Sequence, residues 1–165
     1  MRVLVDTNVL LRAIQHDSPF CEPARKALKL LHRQNHDLCV TPQNVKEFWN
    51  ACTRPTDHNG LGISVPGAKR HTRFLERHFT VLPDSALTYA AWRQLVPKYQ
   101  VVGTKVHDAY LVASMKTYAI TQILTFNTSD FARYDAPVAF ASLPNSPHKG
   151  CGLPPRTTES NTARG

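Results

Sequence analysis

The sequence predicts an α/β protein, a sandwich of helices around a mostly parallel sheet. Two observations carry this. Short apolar runs without polar alternation, such as Val3-Leu4-Val5 and Leu38-Cys39-Val40, read as strands covered on both faces. Longer stretches at helical spacing separate them, so strands and helices alternate almost throughout, the pattern of right-handed parallel crossovers. At 165 residues the chain is most simply one domain, long enough to bury a real core.

In chain order, residues 2–6 form the first strand and a short helix follows over about 8–15. FCEPARKALKLLHRQN, residues 20–35, places Ala24, Ala27, Leu28 and Leu31 at helical spacing. Asp37 to Thr41 gives the second strand. Thr41-Pro42 opens the next helix, because Thr caps well and Pro is favoured at the first helical position. QNVKEFWNAC then puts Val45, Phe48, Trp49 and Cys52 on one face. It ends at a loop, RPTDHNGLGISVPG, marked by Pro55, Asn59-Gly60, Gly62 and Pro66.

A further helix is expected over about 65–77, and a third short strand over Phe79 to Leu82. Asp84 or Ser85 can cap a helix reaching Tyr99, and Thr104 is a candidate cap for VHDAYLVASMKTYA. Gln122 to Phe126 reads as a fourth strand, TFNTSDF as its exit loop and Val138 to Phe140 as an edge strand. From Leu143 the chain turns rich in Pro, Ser, Thr, Asn and Gly, with almost no large apolar residue. The expected organisation is a folded domain over 1–142 and a disordered tail over 143–165.

Charge and composition narrow the function. The formal charge is +8, from 20 basic and 12 acidic residues. The tail holds three basic residues and one acid, so the excess belongs mainly to the fold. A basic body favours a polyanionic partner such as nucleic acid. No window approaches the roughly 18 consecutive apolar residues of a membrane span, and Asp6, Thr7 and Asn8 interrupt what would be a signal peptide's apolar core. The reading is a cytoplasmic protein. Cys21, Cys39, Cys52 and Cys151 are widely spaced, without a CxxC pair, and read as core-filling residues plus one in the tail rather than as a zinc site. The eight histidines show no HxxxH or HExxH spacing.

Open α/β sheets bind ligands outside the carboxyl ends of their strands. Asp6 ends the first strand and Asp130 closely follows the fourth. Asp6 also reads as a helix cap, although Thr7 could serve that purpose, and Asp130 also reads as a turn residue, as does Asn127. Asp108 is more anomalous. Its helix carries Val106, Ala109, Tyr110, Leu111, Val112, Ala113 and Met115, apolar nearly all round, and a carboxylate buried there needs a partner, a proton or a metal. The plainer alternative is a first-turn acid favoured by the helix dipole. Glu47 lies opposite the Phe48 face of its helix, where a solvated glutamate and a cleft ligand look alike. If these acids converge they raise one another's pKa, and a divalent cation removes that cost. With a basic surface, such a site suits metal-assisted phosphodiester hydrolysis.

Four stretches, LVDTNVLLRAI, TPQNVKEFWNACTRP with the following NGLG, VHDAYLVASM and ILTFNTSDF, occur in an order and spacing that resembles PIN-domain ribonucleases, in particular the VapC-like toxins of type II toxin–antitoxin systems. The resemblance covers about residues 1–140. It implies a three-layer α/β/α fold with an acidic pocket holding Mg²⁺ or Mn²⁺. It places the catalytic acids on Asp6, Glu47, Asp108 and Asp130, with Asp6 and Asp108 as metal ligands. Asn8 and Thr125 or Asn127 would be supporting polar groups, and Lys105 and Lys46 are candidates for holding the RNA backbone. It implies a small antitoxin partner and a homodimer. The helix around 20–35 and the face carrying Phe48 and Trp49 offer apolar surface, most of it expected to be core.

Rival classes fit less well. A haloacid-dehalogenase-type phosphatase needs a second Asp two residues after the first, where Asn8 stands. A nicotinamide enzyme needs a Gly-rich turn after the first strand, and none is present. A non-catalytic PIN-like RNA- or protein-binding module is the nearest alternative, and the presence of all four acids speaks against it.

Overall fold

A computed structural model describes residues 1–134 and the strand 139–142. Five strands form one sheet: β1 (Arg2–Val5), β2 (Asp37–Val40), β3 (Thr80–Val81), β4 (Gln122–Thr125) and β5 (Ala139–Ser142). Their order is β3-β2-β1-β4-β5, and every pairing is parallel. The helices are α1 (Thr7–Ile14), α2 (Cys21–Arg33), α3 (Pro42–Thr53), α4 (Val65–His78), α5 (Ala86–Lys98), α6 (Lys105–Thr117) and the single turn α7 (Thr128–Phe131).

Alternation along the strands builds a core on each face of the sheet. Val3, Val5, Leu38, Val40 and Leu124 pack with α1 to α4. Leu4, Cys39 and Ile123 point the other way, into a second core with α5 and α6. This is the expected α/β/α sandwich. The strand order also explains the division of helices. The chain steps outward from β1 to β3, then returns past β1 to β4. A right-handed crossover in the opposite direction must lie on the opposite face. The reversal leaves a crevice between the carboxyl ends of β1 and β4, the switch point where α/β sheets bind ligands.

Several expectations are adjusted. The first strand ends at Val5, and Asp6 takes the N-cap position of α1. The third strand shrinks to two residues, both exposed. TFNTSDF is not all loop, since Thr128–Phe131 winds into a helical turn. The edge strand lies at 139–142 instead of 138–140. Thr41 caps α3 as expected, in a reciprocal capping box with Asn44, and Ser85 caps α5. Thr104 sits at the N-cap of α6 but makes no capping bond, because its backbone is already helical. The tail predicted over 143–165 lies outside the described residues. Among the described residues, no helix is long and apolar enough to cross a membrane.

The turn after α3 depends on glycine. The Gly60 N–H donates to the Pro55 carbonyl, and a Cβ there would lie 1.8 Å from the Arg54 carbonyl oxygen. Backbone on both sides leaves no flexible neighbour to give way. Gly60→Ala is expected to destabilise the protein by about 2 kcal/mol, seen as a lower urea midpoint. An unchanged midpoint would show that the turn relaxes freely.

Candidate active site

Asp6 is held at the switch point from both sides. Its N–H donates to the Leu124 carbonyl at 3.0 Å, which extends the β1–β4 pairing by one residue. Its carboxylate does not cap α1. Instead Oδ2 accepts from the Thr125 hydroxyl at 2.6 Å and from Asn8 Nδ2 at 2.8 Å. Asn8 Nδ2 also donates to Thr125 Oγ1 at 3.1 Å, and Asn8 Oδ1 accepts from the Phe126 N–H at 3.3 Å. One asparagine thus fastens the start of α1 to the end of β4. The choice of cap between Asp6 and Thr7 resolves as neither side chain. Thr7 is the first helical residue and its hydroxyl is used elsewhere.

That hydroxyl connects to Glu47. Thr7 Oγ1 donates to Glu47 Oε2 at 2.9 Å and accepts from Asn44 Nδ2 at 3.0 Å. Asn44, fully buried, uses its Oδ1 to accept from both the N–H and the hydroxyl of Thr41, each at 2.8 Å. A buried polar relay, Thr41–Asn44–Thr7–Glu47, therefore sets the glutamate from within the fold. On the cleft side, Gln43 Nε2 donates to Glu47 Oε1 at 2.9 Å and to the His107 carbonyl at 3.1 Å. His107 Nδ1 lies 3.5 Å from Glu47 Oε1. These contacts tie α3 to the first turn of α6, which carries Asp108.

Asp108 and Asp130 share a cation. The Lys105 ammonium is in close contact with Asp130 Oδ1 and lies 3.8 Å from Asp108 Oδ2. The four acids form one electrostatic group. Burial pushes the Asp6 pKa up to about 6, against the stabilising hydrogen bond from Thr125, and the charges of Asp108 and Glu47 add to the rise. Asp108 is also raised, first by burial and then by Asp130 and Glu47, with Lys105 and Arg133 opposing.

The fold thus gathers Asp6, Glu47 and Asp108, with Asp130 joined through Asp108 and Lys105. Of the supporting groups, Asn8 and Thr125 bind Asp6 directly. Asn127 takes part only through its backbone N–H, which donates to Thr125 Oγ1 at 3.0 Å, and its side chain points to solvent. Lys46 is exposed, whereas Lys105 is engaged with the acids. Sequence reasoning did not single out Thr7, Gln43, Asn44 or His107. For Asn44 a signal existed: it shares helical spacing with the buried Phe48, Ala51 and Cys52, so a polar side chain was bound for the core. The buried face of α3 is accordingly turned about one residue from the Val45–Trp49 face expected.

The donor set suits a hard divalent cation. Every candidate ligand is a carboxylate oxygen, and the side-chain donors to Asp6 all fall on Oδ2. The Asp6 pKa is raised first by burial and then by the charges of Asp108 and Glu47, and a cation beside it would offset both. Among the described residues, no three His, Cys, Asp or Glu side chains form a ready metal cage. Mg²⁺ ordinarily takes one or two carboxylates and completes its shell with water and phosphate, so the residues present fit it. Separately, a cavity of about 670 Å³ opens between α1, α2 and α4, lined by Leu10, Ile14, Leu28 and Phe74 and rimmed by Arg25 and Arg77. None of the four acids lines it.

A parallel α/β/α sandwich with acids gathered at its switch point defines a class, and the sequence match agrees. The chain belongs to the PIN-domain family, whose pattern residues 3–137 match. Solved structures share the fold. VapBC2 from Rickettsia felis, bound to a DNA fragment from its promoter, superposes with a TM-score of 0.66 at 13% identity, covering 85% of this chain and 98% of that one. FitAcB from Neisseria gonorrhoeae gives 0.58 at 20% identity, covering 84% and 96%. VapC20 from Mycobacterium tuberculosis, described as a sarcin–ricin loop cleaving toxin, gives 0.54 at 18% identity, covering 73% and 86%. A comparison with curated proteins finds no match.

Proposed function

We propose that the chain is a divalent-metal-dependent endoribonuclease that hydrolyses RNA phosphodiester bonds in the cytoplasm as the toxin of a toxin–antitoxin pair. The observation that carries this reading is the convergence of Asp6, Glu47 and Asp108 at the switch point, with a raised Asp6 pKa that a cation would relieve. Asp6 and Asp108 would hold Mg²⁺ or Mn²⁺. When bound, the ion supplies Lewis acidity and a water of lowered pKa. Thr125 and Asn8 fix the orientation of Asp6, and the Thr7 and Gln43 bonds fix that of Glu47. Basic residues on α2 and α4, among them Lys26, Lys29, Lys69 and Arg73, favour a polyanionic substrate.

Two further points support the partner reading. The similar structures include toxin–antitoxin complexes, one of them from Klebsiella pneumoniae. The apolar, basic-rimmed cavity between α1, α2 and α4 is suited to a segment of a small antitoxin. Exposed Leu87, Tyr89 and Val102 supply apolar surface for a homodimer.

The purified, antitoxin-free protein is expected to cleave RNA in Mg²⁺ or Mn²⁺. EDTA, or Asp108→Asn, should lower the rate on the order of 100-fold or more. Folded protein that leaves a broad RNA panel intact with metal would refute the nuclease reading. Binding without cleavage would favour the non-catalytic module.

A further inference from the structure

We propose that Lys105 is a built-in counter-ion that limits the acidic pocket to one divalent cation, its ammonium standing where a second ion would have to bind. This rests on the metal-dependent reading above.

The acids divide into two groups that meet at Asp108. Asp6 feels the charges of Asp108 and Glu47. Asp108 in turn feels both Asp130 and Glu47. Asp108 is therefore the carboxylate a pair of ions would share. Paired ions in two-metal nucleases sit about 3.5–4 Å apart. On the Asp130 side of Asp108 that space already holds a positive charge. Lys105 Nζ contacts Asp130 Oδ1 and lies 3.8 Å from Asp108 Oδ2.

The ammonium is not a passing surface contact. Lys105 is the first residue of α6, one turn before Asp108, so the helix itself aims it along the acid's side. About a quarter of each acid side chain and a third of the lysine remain exposed, so the pair is shielded from the screening that weakens surface ion pairs. Arg133 adds a weaker positive influence on Asp108. On the Asp6–Glu47 side no Lys or Arg is paired with either acid among the described residues, and the one neighbouring base is His107. The single metal then falls to Asp6 and Asp108, and Asp130 is a partner of lysine. Lys105 is thus a positioning residue that holds Asp130 and the far side of Asp108, in place of an RNA-backbone contact.

The test is a Mn²⁺ titration of the full-length protein, with free Mn²⁺ followed by electron paramagnetic resonance and folding checked by circular dichroism. Wild type is expected to bind one ion, Lys105→Arg one, and Lys105→Gln two, the second more weakly. Asp130→Asn should still bind one ion, with affinity within about threefold of wild type, because Asp130 is not a ligand. Removing a true ligand or its close support typically costs tenfold or more. Two ions of similar affinity in wild type, or one ion in folded Lys105→Gln, would overturn the proposal and leave the nuclease reading standing. A tenfold loss in Asp130→Asn would also overturn it, and that arm decides if Lys105→Gln does not fold. No Mn²⁺ binding by wild type would remove the metal-dependent reading and this inference with it.

Discussion

Asp6→Asn is expected to abolish RNA cleavage while raising the melting temperature of the metal-free protein at pH 7.5. Both effects come from one carboxylate. The Asp6 pKa rises from 3.8 to about 6 in the fold, so the folded state holds this proton more tightly than the unfolded chain. As pH rises through that window the folded state must release it. Stability is lost between pH 4 and 6, and the full cost stands above pH 6. A rise of that size converts to about 3 kcal/mol, and a cleft open to water reduces that to about 2 kcal/mol.

Asparagine cannot ionise, so the cost disappears. It also keeps the local bonds, because Thr125 and Asn8 both donate to Oδ2 and an amide oxygen can take that place. The variant should melt about 5 °C above wild type at pH 7.5 and level with it near pH 3, below both pKa values. Mn²⁺ should raise the melting temperature of wild type at pH 7.5 and leave that of Asp6→Asn nearly unmoved. A variant that melts below wild type at pH 7.5 would mean that Asp6 stabilises the fold and that its buried charge carries no net cost.

Asn44→Leu is expected to have the largest effect on stability. The Asn44 side chain receives the Thr41 N–H and hydroxyl and supports Thr7, all inside the core. A leucine of similar size fills the space but leaves those groups unpaired, and each buried unsatisfied group costs about 1–3 kcal/mol. A loss of about 3 kcal/mol, near 10 °C in melting temperature, follows. Because Thr7 hands this support on to Glu47, cleavage by the folded remainder should also fall. Thr41→Val removes only the hydroxyl and keeps the backbone N–H paired with Asn44, so it should cost less. Equal effects from the two variants would break the relay as described.

Much of this was legible because burial writes itself into strand sequences. Val3-Leu4-Val5 and Leu38-Cys39-Val40 carry no polar residue, and both are covered on two faces. Asp6 and Asp130 stood out by position and Asp108 by its mismatch with apolar surroundings, whereas Glu47 was marked only by the family resemblance. The charges of Asp6, Glu47 and Asp108 act on one another, and Asp130 joins through Asp108. What escaped the sequence depends on side-chain direction across elements. Thr7 and Asn44 are 37 residues apart, and no local pattern says that one supports the other. Asn127 and Thr125 were equal candidates until the turn of α7 sent the first outward. Lys105 read as a candidate for holding the RNA backbone because its partner Asp130 lies 25 residues on.

The Asn8–Thr125–Asp6 fastening has a consequence for when the pocket exists. It joins residues 119 positions apart, nearly the full length of the described fold. Local helices form first, and contacts this distant must await closure of the whole intervening loop. During synthesis Asp6 emerges early but stays without its Thr125 partner until β4 has left the ribosome and docked. An incomplete chain therefore carries Asp6 and the acids of α3 and α6 without the strand that aims the first of them. A site arranged this way is complete only when β4 has docked, so its assembly is tied to the closing of nearly the whole described fold.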